Sequence, residues 1–253
     1  MTSSLATAGI RGILLDIEGT TTPISFVHKV LFSYARSHVR SFLTEHSGSP
    51  ELLADLRQLR EEHATDLKQN LQPPTLVEAP RGAEIDSIAE YVSWLIDRDR
   101  KSTGLKSLQG KIWKQGYLDG TLKAELFVDV APALERWHRA GLNISIFSSG
   151  SILAQKLLFA HTEAGDLTGL IDDYFDTTVG SKTDVESYRR IAVALRLTAQ
   201  NVLFISDVVS ELDAAGAAGM RTLLCTRPGN HAQPFHERHQ NIQSFDEISG
   251  PEH

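Results

Sequence analysis

Gly12-Ile-Leu-Leu-Asp16-Ile-Glu18-Gly19-Thr20-Thr21-Thr22-Pro23 decides how the rest of the chain is read. A short apolar run ends on two acids spaced i, i+2, followed at once by glycine and three threonines. Residues 12–15 predict a strand buried on both faces, as in parallel sheets. Asp16 then falls at its carboxyl end, where open α/β sheets place their chemistry. Strand alternation points Asp16 and Glu18 roughly the same way. One carboxylate held there suits attack on an electrophile, and the second suits protonation of a leaving group. A strand-to-loop turn with two solvated acids would carry the same residues.

Three later segments narrow the choice. Leu142–Phe147 is a second apolar strand running into Ser148-Ser149-Gly150 and then a helix-like stretch from Ile152. Hydroxyls and free N–H groups at a helix N-terminus bind anions. Lys182 follows the strand-like Tyr174–Val179 and precedes an amphipathic helix at 184–196. Asn201–Asp207 is another apolar strand ending in an acid, with Glu211 four residues on. Each group also has a plain structural role open to it: Ser148, Ser149 and Asp207 as helix N-caps, Lys182 as a solvated helix start. Together, the four strand ends offer nucleophile plus acid, hydroxyl, lysine, and acid plus acid, in that order.

Between Thr22 and about Asp129 the pattern is helical: 25–45, 51–70, Ile85–Arg98 and Leu105–Tyr117, with breaks at Gln72-Pro-Pro-Thr75 and Pro80-Arg-Gly82. From Val130 strand and helix alternate, with helices at 131–140, 151–160, 184–196 and 209–219 and strands at 142–147, 201–206 and 221–225. The fold class predicted is α/β, a doubly wound parallel Rossmann-like sheet core with an inserted α-helical cap. Residues 10–22 plus 130–250 would form the core and 23–129 the cap.

The 253 residues carry 32 acids against 25 Lys and Arg, a net charge of −7. That balance argues against a nucleic-acid surface, which needs clustered cations. A small anionic substrate stays open, because local charge outweighs the global sum. The lone cysteine, Cys225, precludes an intramolecular disulfide and fits a reducing compartment; its apolar surroundings mark it as a core thiol. Met1–Gly9 lacks the charged and apolar regions of a signal peptide and reads as a short tail. No apolar run approaches membrane-spanning length. A cytoplasmic protein that binds neither nucleic acid nor membrane is expected, with nuclear presence allowed and a monomer as its state.

The order of groups resembles the haloacid dehalogenase superfamily of aspartyl-nucleophile phosphohydrolases. Asp16–Val27, Phe147–Ser151 with Gln155–Phe159, Glu186–Arg189, Ser206-Asp207-Val208 and Arg227-Pro-Gly-Asn230 are similar, within it, to the enolase-phosphatase family of methionine salvage. The likeness runs from about residue 12 to about 246, and Asp-x-Glu in place of Asp-x-Asp is a feature of that family. Lys29 stands where an acid is frequent in the family and Ser33 where proline is.

The resemblance implies Mg²⁺ held by the carboxylates of Asp16 and Asp207 and the main-chain carbonyl of Glu18, with Glu211 behind them. Few protein carboxylates and several waters suit that ion. It implies Asp16 as nucleophile, Glu18 as acid and then base, Lys182 as fixed cation, and Ser148 with the Ser149 N–H on the phosphoryl oxygens. The family first enolises 2,3-diketo-5-methylthiopentyl 1-phosphate and then removes its phosphate to leave an acireductone. Glu18 or a residue of the cap is a candidate for the enolisation base and His28 and Lys29 are weaker ones, while Lys101 and Trp113 are candidates for facing substrate; surface or packing roles are the alternative for these last four. Two other readings stay open: a general phosphatase of the same superfamily, and a non-catalytic phosphate-ligand binder. Removing Lys182 or Asp207 is expected to cost activity and leave the fold intact.

Overall fold

The computed structural model describes residues 9–100, 102–230 and 238–248. Met1–Ala8 and Lys101, on which two of the expectations above fall, lie outside the described residues. The chain divides into two compact units, His28–Leu122 and a second containing the residues up to Val27 together with the chain from Lys123 onward.

In the second unit, six strands form one parallel sheet: β1 Gly12–Leu15, β2 Asn143–Phe147, β3 Asp173–Phe175, β4 Val202–Ser206, β5 Arg221–Cys225 and β6 Gln240–Ile242. Their order is β3-β2-β1-β4-β5-β6. The chain steps outward from β1 to β3, then crosses back to β4 on the far side of β1. That reversal makes the β1/β4 junction the switch point of a doubly wound sheet. Leu15 pairs with Ile146 on one side and Ile205 on the other, so the residues just past these three share one level.

Helices α5 Val130–Arg139 and α6 Ile152–Ala160 connect β1, β2 and β3; α7 Val185–Ala194 and α8 Val209–Ala217 serve the return. (α1–α4 belong to the other unit.) Right-handed crossovers send the two pairs to opposite faces. Leu14, Phe147, Phe204 and Leu224 meet Tyr188 and Ile191 of α7 and Leu212 of α8 in one core. Each such buried side chain contributes about 1.5–3 kcal/mol. Cys225, next to Leu224 but not part of this cluster, is also buried, and burial pushes its thiol up to about 12.

One local expectation changes, and one strand goes beyond those expected. The strand expected over 174–179 stops at Phe175, because the Asp176 carboxylate accepts from the Thr178 N–H (2.9 Å) and hydroxyl (2.5 Å) and turns the chain. β6 is three residues long with two of them exposed, and carries no apolar signal to announce it.

The helical unit contains α1 Phe32–Glu45, α2 Pro50–Lys68, α3 Arg81–Asp97 and α4 Thr103–Leu118. The helix expected at 25–45 is present, but its turns at Phe26–Leu31 are π-helical and run directly into α1. The Leu31 carbonyl accepts from the Trp113 indole N–H at 2.8 Å, and that ring, stacked on Phe32, is buried as a packing residue. His28 and Lys29 are exposed. Asp55, Arg60, Glu62 and Asp66 of α2 make tertiary contacts. Glu62 accepts from the Thr103 and Gly104 N–H groups at the start of α4, and Asp66 from the Tyr91 hydroxyl at 2.8 Å. No described helix is long and apolar enough to cross a membrane.

Candidate active site

Parallel pairing brings the carboxyl ends of β1, β2 and β4 to one edge. There the Lys182 ammonium donates to Asp16 Oδ1 and lies 2.7 Å from Glu211 Oε2. Lys182 is buried rather than solvated. Its segment is fixed by the Tyr188 hydroxyl of α7, which donates to the Lys182 carbonyl at 2.7 Å. Glu211, from the first turn of α8, accepts a further bond from Ser206 Oγ at 3.0 Å. The Asp16 N–H is held by the Ile205 carbonyl at 3.0 Å, so the backbone around the carboxylate continues the sheet.

Electrostatics at this edge is crowded. Burial, then Asp16 and Glu211, pushes the Asp207 carboxyl up to about 7, against the pull of Lys182. Glu211 is raised by burial and by Asp16. Burial pulls Lys182 down, but Asp16 and Glu211 together outweigh it and raise the ammonium's pKa. Burial and mutual repulsion thus favour the protonated forms of Asp207 and Glu211, while Lys182 keeps its charge.

Asp207 does not cap α8, whose N-cap is Val208 without a side-chain bond. Its N–H donates to Thr20 Oγ1 at 3.1 Å, and its Oδ2 accepts from Asn230 at 3.3 Å. Oδ1 is buried with no hydrogen-bond partner. An ionised oxygen in that state is costly unless a cation completes it. Among the described residues no three His, Cys, Asp or Glu side chains gather as a metal cluster. A hard cation here would draw on two carboxylates, a main-chain carbonyl and water, a set that fits Mg²⁺.

The loop after β1 is closed by its own backbone. The Thr20, Thr21 and Thr22 N–H groups all donate to the Ile17 carbonyl, and the Gly19 N–H to that of Thr22 (2.8 Å). Gly19 has φ +75°, and a Cβ there would overlap Asp207 Oδ2 and sit 2.7 Å from its Cγ, so only glycine lets the loop lie against Asp207. Glu18, half-buried, bridges to Thr22 within this loop.

Ser148 and Ser149 follow β2 at the same edge. Neither caps α6; Ser151 does, accepting from the Ala154 N–H at 3.3 Å. Ser148 Oγ accepts from the Gly150 N–H at 3.2 Å. Buried Gln155 donates to the carbonyls of Gly150 (2.9 Å) and Phe175 (2.8 Å), pinning this turn to the end of β3.

A family profile described as haloacid dehalogenase-like hydrolase matches residues 10–219. The chain is 52% identical over 241 residues to enolase-phosphatase E1 of Synechococcus elongatus, spanning 94% of this chain and 98% of that one. It is 45% identical to enolase-phosphatase E1 of Sorangium cellulosum, over 97% and 100% of the two chains. The chain belongs to the enolase-phosphatase family of haloacid dehalogenase-like hydrolases. The crystal structure of the UTR4 protein of Saccharomyces cerevisiae superposes with a TM-score of 0.74 at 33% identity, covering 94% of this chain and 99% of that one.

For this family member the structure adds residues that spacing alone left out. Thr20 binds Asp207 across 187 positions of sequence. Arg227 and Asn230 reach back to the carbonyls of Thr20 and Gly19. The available signal was Arg227-Pro-Gly-Asn230 itself, a turn signature without a regular element of its own.

Proposed function

We infer that this protein is an enolase-phosphatase of methionine salvage, converting 2,3-diketo-5-methylthiopentyl 1-phosphate to an acireductone and phosphate. Full-length similarity to enolase-phosphatase E1 proteins supports the substrate. The observation that carries the chemistry is Lys182 bound between Asp16 and Glu211 beside the unpartnered Asp207 Oδ1.

A phosphate monoester resists attack because its anionic oxygens repel nucleophiles, so the site must supply positive charge and in-line placement. The Asp16 carboxylate attacks phosphorus, and the leaving oxygen takes a proton from Glu18. The resulting aspartyl-phosphate is hydrolysed by water that Glu18 deprotonates. Lys182 holds Asp16 in place and offsets charge on the transferred group. Ser148 Oγ and the Ser149 N–H bind phosphoryl oxygens. Asp16, Asp207 and the Glu18 carbonyl would hold Mg²⁺, with Glu211 orienting Lys182 behind them. When bound, the ion supplies charge neutralisation on the phosphoryl group and polarises the substrate carbonyl for enolisation.

The helical unit as substrate cap belongs to this proposal, supported by its insertion directly after the β1 loop. So does a monomeric cytoplasmic enzyme whose partner is a small phosphorylated metabolite, supported by the acidic balance and the lone buried thiol. The test is incubation of the diketo phosphate with protein and Mg²⁺, following enediol absorbance and inorganic phosphate together. Comparable turnover of a panel of sugar phosphates and nucleotides would replace this reading by that of a general phosphatase.

A further inference from the structure

Arg227-Pro228-Gly229-Asn230 forms a tight turn closed by the Asn230 N–H on the Arg227 carbonyl at 3.2 Å. Proline at its second position and glycine with φ +86° at its third are the residues a type II turn demands. The turn is anchored at both ends to the loop that follows β1. At its first residue, the buried Arg227 guanidinium donates through Nε to the Thr20 carbonyl (3.1 Å). Through Nη1 it donates to Asp129 Oδ2 (2.8 Å) and the Gln243 carbonyl (2.9 Å). Its Cζ sits 4.6 Å from the ring centroids of both Phe127 and Phe245. A guanidinium with this many fixed partners does not swing.

At the last residue, Asn230 Nδ2 donates to the Gly19 carbonyl at 2.7 Å and to Asp207 Oδ2 at 3.3 Å. Both amide hydrogens are thereby used. A flipped amide would set its oxygen against two acceptors, so the orientation is fixed by chemistry. Thr20, next to Gly19, accepts the Asp207 N–H. Two adjacent carbonyls of the motif loop and one carboxylate oxygen of Asp207 are therefore gripped from a single preformed turn. Oδ1 of Asp207 is the oxygen left unpartnered.

We propose that Asn230 is a positioning residue: by occupying Asp207 Oδ2 and the Gly19 carbonyl together, it sets the distance between motif loop and Asp207 and presents Oδ1 to the divalent cation. This rests on the Mg²⁺ reading given under Proposed function and goes beyond it in assigning which oxygen binds and what holds it. Partners that orient a metal's own ligands typically govern affinity tenfold to a hundredfold.

The test is isothermal titration of Mg²⁺ into chelator-stripped wild type, Asn230→Ala and the shape-preserving Asn230→Leu, alongside melting temperatures without metal. Both variants should bind Mg²⁺ about tenfold more weakly while their metal-free melting temperatures stay near that of wild type. If either folded variant binds Mg²⁺ as wild type does, Asn230 does not position Asp207 and the proposal falls, with the metal reading untouched. If wild type itself binds no Mg²⁺, the metal reading falls and takes the positioning role with it.

Discussion

Lys182 Nζ lies 2.7 Å from Glu211 Oε2 while donating to Asp16 Oδ1, so one buried ammonium ties the end of β1 to the start of α8. Replacing it leaves Asp16, Glu211 and Asp207 facing one another without compensation. Breaking a buried charge pair by removing one partner costs about 3–5 kcal/mol. This reverses the sequence-based expectation that removing Lys182 spares the fold. Lys182→Ala should abolish most phosphate release and lower the metal-free melting temperature by on the order of 10 °C, whereas Asp207→Asn, which relieves crowding, should not lower it. An unchanged melting curve for Lys182→Ala would mean that the cluster is already balanced without it.

Asp16→Asn preserves shape and removes the attacking charge. Phosphate release should fall by orders of magnitude. Enolisation needs a polarised carbonyl and a base but no attack on phosphorus. The variant should therefore accumulate a phosphorylated enol, seen by phosphorus NMR as a new ester signal without inorganic phosphate. Near wild-type phosphate release would remove Asp16 as nucleophile.

Metal binding should be linked to pH through Asp207. Its carboxyl stands near 7 in the metal-free fold against an ordinary 3.8. The folded state therefore binds more protons than the unfolded one between those values. That contribution to stability is complete below 3.8 and is lost as pH rises through about 7. Mg²⁺ requires the ionised carboxylate, so its stabilising effect should grow across the same interval. Thermal shifts with and without saturating Mg²⁺ should be larger near pH 8 than near pH 5. EDTA should abolish turnover at both. A Mg²⁺ shift that ignores pH would place the ion away from Asp207.

Asp129 should shape the acid limb in the opposite sense. Burial alone would raise its carboxyl, but the Phe245 N–H and the Arg227 guanidinium hold it below 3.8. A depressed carboxyl contributes stability above its unfolded value and loses it as pH falls through the folded one. Asp129→Asn should cost about 3 kcal/mol at neutral pH by leaving Arg227 short of a partner. The variant's melting temperature should then vary less with pH below about 4 than that of wild type. An equally steep acid limb in the variant would assign acid unfolding to other carboxylates.

Much of the site was legible in the sequence because chemistry at strand ends leaves a local mark. The runs ending at Leu15, Phe147 and Ile205 are mostly apolar, with Asn143 and Ser145 as polar exceptions, as expected of parallel-sheet strands covered on both faces. The residues following each run fall at one edge once the strands are parallel. The order of groups along the chain thus named Asp16, Glu18, Ser148, Ser149, Lys182, Asp207 and Glu211 as a set. The Arg227-Pro-Gly-Asn230 segment stood out only for its family likeness, and its turn was not read from the sequence.

Tertiary structure decided what those groups touch. Periodicity reports that a face is buried, never against what, so nothing local in Lys182 distinguished a solvated helix start from an ammonium buried between Asp16 and Glu211. The bond from Asn230 to the Gly19 carbonyl spans 211 positions, and that from Thr20 to Asp207 spans 187. Such contacts arise only when the β1/β4 junction brings strand ends side by side. Strand β6 and the π-helical winding of Phe26–Leu31, inside a helix otherwise expected, escaped for a related reason: each is too short to carry a period, and each is held by neighbours distant in sequence. The residue types determined which chemistry was available, and the crossover of the chain at the switch point determined which atoms meet, because charge and hydrogen bonding act over a few ångströms of space regardless of separation along the chain.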